Sequence, residues 1–130
     1  MEYQHWDANA LVAAATFIAV GLVVLVHYEG LTMISSWLAK RQEQVSRRKV
    51  LYGIYAVLAL HIIEIWVFGV TVWLLLQYPN TGSVAGAHPL SLLDGVYLSA
   101  VTFTTVGFGD VAPVGPIRFL VLTPLMVLFP

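Results

Sequence analysis

The chain has 130 residues, of which 59% are hydrophobic and only 10% charged, whereas roughly a quarter of residues are charged in soluble domains. A formal net charge of −1 provides no cationic field for a nucleic-acid partner. The absence of cysteine excludes disulfides and thiolate-held metals.

The opening "MEYQHWD" is acidic and lacks the basic flank of a signal peptide, so the first apolar run is expected to stay in the protein. A helix crossing the hydrocarbon needs about 20 apolar residues. Ala8 to Lys40 satisfies this, with its hydropathy broken by "HYEG" at 27–30. Val50 to Gln77 is a second such run, broken by His61 and Glu64. Lys40, Arg41, Arg47, Arg48 and Lys49, five of the six Lys and Arg residues, lie in the connection between the runs. The positive-inside rule places that connection in the cytoplasm and the N-terminus outside. "YPNTGSVAGAHPLS" (78–91) is turn chemistry and falls on the outer side. "LLDGVYLSAVTF" (92–103) reads as a short helix, with Ser91 and Asp94 spaced as a capping box. At about 18 Å it is too short to cross.

After it comes "TTVGFGD" (104–110). Non-helical backbone at membrane depth survives only where protein buries it or water lines it, so the strip reads as the return limb of a re-entrant loop. Glycine adopts the left-handed conformations that other residues avoid. Gly107 and Gly109 alternate with Val106 and Phe108, which lets successive carbonyls turn to one side, and Thr105 adds a hydroxyl at the inner end. Such a column of oxygens can replace the water around a cation, and closing it requires several copies of the chain. Asp110 would brace its outer end. The bland reading of the strip is a glycine-rich turn.

Two polar sites interrupt the long runs. In an antiparallel hairpin, Tyr28 and His61 both lie about 18 Å from the basic layer, near mid-bilayer. This brings His27, Glu29, His61 and Glu64 into one cluster. His61 and Glu64 share a face, whereas His27 and Glu29, two apart, diverge. Intramembrane ionisable residues are costly and paired. Three readings stand: a hydrogen-bonded network fastening the helices, a divalent metal site with zinc suited to the donors, and a proton sensor. Trp6, Trp37 and Trp73 read as interfacial anchors.

"DGVYLSAVTFTTVGFGDVAP" resembles the pore loop of potassium channels, in which four TVGYG strips strip and rehydrate the ion. Phe108 stands where that family most often has tyrosine. The resemblance covers roughly 50–130, and the whole chain is similar to small bacterial two-helix-pore proteins with one extra N-terminal helix. It implies an all-α membrane protein with a re-entrant pore helix and filter, whose segments are the N-terminal helix and basic connection (1–49), outer helix (50–77), pore helix (92–103), filter (104–110) and inner helix (117–130). Thr105, Val106, Gly107 and Phe108 would hold K+, with Thr104, Gly109 and Asp110 in support. Four identical chains would make one pore in a bacterial inner membrane. From Ile117 to Pro130 a helix would be about 21 Å long, against a hydrocarbon core of about 30 Å, so the last helix is expected to be incomplete. No nucleophile–base pair or phosphate loop is visible, and no enzymatic activity is expected. The alternative is a non-conducting membrane subunit or a metal- or proton-responsive scaffold built on His27, Glu29, His61 and Glu64.

Overall fold

The computed structural model describes residues 5–41 and 46–122. Two long helices dominate, α1 (Trp6–Lys40) and α2 (Arg47–Leu75), both long and apolar enough to cross a membrane. Neither contains proline, and α1 runs unbroken through "HYEG" because an α-helix satisfies its own backbone whatever side chains it carries. Only one stripe of α1 is buried (Ala8, Val12, Ala19 and Val23), while Phe17, Ile18 and Met33 are exposed. A helix that is apolar all round has lipid or other protein as its solvent.

Local chemistry sets the helix ends. Ser46 Oγ accepts the Lys49 N–H at 3.3 Å, so α2 begins three residues before the apolar run does. At its far end, the fully buried Thr81 donates its hydroxyl to the carbonyls of Leu75 (2.7 Å) and Tyr78 (2.9 Å). Once Pro79 forbids another turn, the Tyr78 N–H still reaches Leu75 O at 3.1 Å, and the Thr81 hydroxyl adds to that bond and supplies a donor to Tyr78 O. α2 therefore stops at Leu75 rather than Gln77.

The segment 78–91 is more ordered than its turn composition suggests. β1 (Ser83–Ala85) pairs antiparallel with β2 (Ala112–Val114), in register Ser83↔Val114, Val84↔Pro113 and Ala85↔Ala112. Strands of three residues are too short for periodicity to reveal. The ribbon brings the chain back to where it left, and Ile117 N–H closes on Thr81 O at 2.9 Å. Between the two strands lie α3 (Leu92–Phe103) and the glycine strip, making one excursion pinned at its base. A helical turn follows at 118–122; the rest of the expected inner helix, 123–130, lies outside the described residues.

α3 packs on α2 with backbones in contact. A Cβ on Gly69 would stand 2.6 Å from Val96 Cα, and one on Gly95 would stand 2.8 Å from Gly69 O. One turn along each helix, Ser99 Oγ donates to Ile65 O at 2.9 Å. Small residues and an interhelical hydrogen bond are how helices associate in lipid, where apolar burial gives little drive. Phe68, Val72, Leu98, Val101, Ile117 and Leu120 complete the core around this contact. Gly69→Val should push α3 outward and destabilise the fold by roughly 1–3 kcal/mol. Thermal unfolding of the solubilised protein checks this, with Gly53→Ala, where an added methyl makes only an ordinary contact, expected to leave the midpoint in place.

Candidate functional site

The strip at 104–110 begins where α3 ends. α3 starts with a complete capping box: Ser91 Oγ accepts the Asp94 N–H at 3.1 Å, and Ser91 N–H donates to Asp94 Oδ2 at 2.9 Å. The Ser91 N–H foremost, and the Ser91 hydroxyl that donates to the same Oδ2 at 2.8 Å, hold the Asp94 carboxyl below its ordinary range, so the cap persists above that range and is lost as pH falls through the lowered value. At the other end, the last carbonyls of α3 are taken by the strip itself. The N–H groups of Thr104, Thr105 and Gly107 donate to Ala100 O (3.0 Å), Thr102 O (3.0 Å) and Val101 O (3.1 Å). Thr104 Oγ1 also folds back to Ala100 O at 2.7 Å.

This leaves the strip rich in acceptors. Three of its donors are spent on α3, while among the described residues no carbonyl of 104–109 accepts a hydrogen bond. Its backbone handedness alternates: φ is +60° at Thr105, +52° at Gly107 and +80° at Gly109, with no positive value at Val106 or Phe108. A Cβ on Gly107 or Gly109 would meet nothing within 4 Å, so φ, not space, calls for glycine there. Thr105 has no such excuse. A β-branched residue at positive φ is strained, and strain of this kind persists where the surroundings over-determine it, commonly at functional sites.

All of 104–110 is exposed in the single chain, including Val106 at 52% and Phe108 at 72%. Among the described residues, the end of the strip away from α3 is held by a side-chain contact: the Tyr97 hydroxyl donates to both Asp110 carboxylate oxygens, at 3.0 and 2.9 Å. That hydrogen bond raises the Tyr97 pKa, so the contact is intact below the ordinary phenol range and is lost as pH rises through the raised value. Sequence reasoning gave Asp110 a bracing role without finding its partner. The signal was available, because Ser91 fixes the phase of α3 and Tyr97 is its only phenol. Tyr97→Phe should speed amide exchange at 107–111 while leaving exchange at the Ser91–Asp94 cap unchanged, as read by hydrogen–deuterium exchange mass spectrometry.

The intramembrane cluster is assembled in part. Glu64, fully buried, lies between two imidazoles: His27 Nδ1 is 2.6 Å from Oε1 and His61 Nδ1 is 3.0 Å from Oε2. Glu29 does not join them. It is exposed, because two residues on an α-helix are about 200° apart and His27 takes the face toward α2. The expected set of four is therefore a set of three. The His61 ring also lies 5.5 Å from that of Phe103, the last residue of α3, a neighbour that spacing alone could not supply. Nearer the basic connection, Trp37 meets Tyr52 edge-on at 6.0 Å and Arg41 lies 4.4 Å over the Trp37 ring, an aromatic–cation layer of the kind found at membrane interfaces.

Comparison with known proteins bears on the pore loop. A family described as "Ion channel" matches residues 50–129, which takes in all but the first three residues of α2, together with α3 and the strip. Protein LctB of Geobacillus stearothermophilus is 39% identical over 49 residues, an alignment covering 38% of this chain and 37% of LctB. The match thus spans little more than a third of that relative's length. No solved structure matches. Matched over more than half its length, with two membrane-capable helices followed by a short third one, the chain belongs to the ion channel family and is a membrane protein.

Proposed function

We propose that four copies of this chain enclose a potassium-selective path, with the carbonyls of Thr105, Val106, Gly107 and Phe108 and the hydroxyl of Thr105 as its ion ligands. The observation that carries this reading is the alternation of φ sign at 105, 107 and 109. A strand of uniform handedness sends successive carbonyls to opposite sides; reversing it at every second residue collects them on one. A dehydrated monovalent cation is the partner that such a row of acceptors fits.

The exposure of Val106 and Phe108 supports the need for copies: apolar side chains flanking a polar backbone gain cover when neighbouring chains close the ring. Gly109 turns the chain out of the path and Asp110, held by Tyr97, keeps the exit open and negative. The C-terminal end of α3 adds partial negative charge at the inner end. The charge asymmetry of the connection sets the orientation, with 40–49 cytoplasmic and the N-terminus outside, in a bacterial membrane. Transport is passive, and we assign no catalysis.

The test is flux into liposomes. Reconstituted protein should admit Rb+ in preference to Na+ and be blocked by Ba2+. Gly107→Ala, which places a side chain at positive φ at roughly 1–2 kcal/mol per subunit, should abolish that preference. Absence of cation flux through the intact protein, or an unchanged preference in the variant, contradicts the reading and favours a non-conducting membrane subunit.

A further inference from the structure

α1 precedes the family match, which begins at residue 50, so channel membership assigns it no task. Its polar contact with the remainder of the protein at membrane depth runs from His27 to Glu64. We propose that His27, His61 and Glu64 form a divalent transition-metal site of the zinc class, which clamps α1 to the pore module beside the end of α3.

Geometry comes first. The Nδ1 atoms of two rings and the oxygens of one carboxylate converge from two helices, with one ligand atom of each residue within 4.8 Å of the other two. Tetrahedral zinc with bonds of about 2.0–2.1 Å spaces its ligand atoms roughly 3.3 Å apart, close to the 2.6 and 3.0 Å between imidazole nitrogen and carboxylate oxygen. The same geometry holds two ring centroids roughly 5–6 Å apart; the His27 and His61 rings are 5.9 Å apart. Small movements of two half-buried side chains bring the set to bonding distance.

Charge and donor type agree. No Lys or Arg pairs with Glu64 among the described residues, and Lys49, fifteen residues back along α2, is about 22 Å away. A carboxylate between neutral imidazoles therefore leaves one negative charge buried in an apolar layer, which is costly without a cation. With their protons on Nδ1 the two imidazoles donate to the carboxylate; with their protons on Nε2 both Nδ1 lone pairs face the space the carboxylate faces, and a divalent ion there has three donors directed at it. Two imidazoles and one carboxylate are the donor set of three-ligand zinc sites, which keep a fourth position for water. They are the wrong set for Ca2+ or Mg2+, which require mostly oxygen.

The site also touches the pore loop. The His61 ring packs at a tilt against that of Phe103, and the residue after Phe103 opens the strip. An ion holding His61 and Glu64 against His27 restrains this end of α3 from behind. The proposal stands independently of the potassium reading, since its readout is binding.

The whole protein, stripped with chelator and held in lipid nanodiscs, is titrated with Co2+ and with Zn2+. One ion per chain is expected, with Co2+ giving the intense visible bands of four-coordinate geometry and Zn2+ displacing it. His27→Asn and His61→Asn, which keep a hydrogen-bond donor and a fold judged by size-exclusion profile, should each weaken Zn2+ binding at least about 100-fold, more than loss of an outer-shell partner. Glu29→Gln, two residues from His27 but exposed, should bind as the parent does. Failure of the parent to take up one equivalent leaves a plain hydrogen-bonded network and overturns the proposal. So does uptake unchanged in both histidine variants, which places the ion elsewhere.

Discussion

Backbone that leaves the helix inside a bilayer must find partners for its N–H and C=O groups, and the strip after α3 meets only half of that demand internally. Three of its N–H groups close the end of α3, whereas among the described residues none of the carbonyls of 104–109 meets a donor. An imbalance of this sign is neutralised by water or by a cation. It is tolerable only where the strip lines a cavity, which a lone chain cannot enclose. The ion path and the ring of copies, as proposed, follow from the same imbalance.

The rest of the described fold holds that strip in place. The ribbon of Ser83–Ala85 with Ala112–Val114 and the Thr81–Ile117 bond pin the base of the excursion. Gly69, Gly95 and Ser99 set α3 against α2 at backbone contact, so α3 has little freedom to tilt. Tyr97 holds the exit through Asp110. The strained φ at Thr105 is consistent with a strip fixed from three sides, because strain relaxes unless its surroundings forbid it. α1 adds a fourth constraint through His27 and Glu64, reaching the end of α3 by way of His61 and Phe103.

Much of this was legible in the amino-acid sequence, for identifiable reasons. Long apolar runs announced α1 and α2 despite the polar residues within them, and the Ser91–Asp94 spacing marked the start of α3 to the residue. Counting from the basic connection brought His27, His61 and Glu64 to one depth, because an antiparallel hairpin makes depth a matter of arithmetic. Features that depend on a partner elsewhere in the chain were not legible. Three-residue strands carry no period, Thr81 reveals its role only once α2 ends above it, and Gly69 looks like any glycine until α3 lies on it. Depth placed both His27 and Glu29 in the candidate cluster, and their two-residue step said that they diverge without saying which one faces α2; the packing of α1 on α2 gives that face to His27 and leaves Glu29 exposed. Phe108, where the resemblance favours tyrosine, has no hydroxyl to offer; the phenol at the outer end comes instead from Tyr97, thirteen residues before Asp110.

The central claim concerns where the oxygens of 105–108 point once copies assemble. The most direct measurement is an experimental structure of the assembled protein in Rb+ or Tl+, with anomalous scattering recorded at the heavy ion's edge. The account predicts peaks in a column on a four-fold axis, each ringed by main-chain oxygens of Thr105 to Phe108 from every subunit. Peaks absent from that axis, or carbonyls directed away from it, would contradict the account.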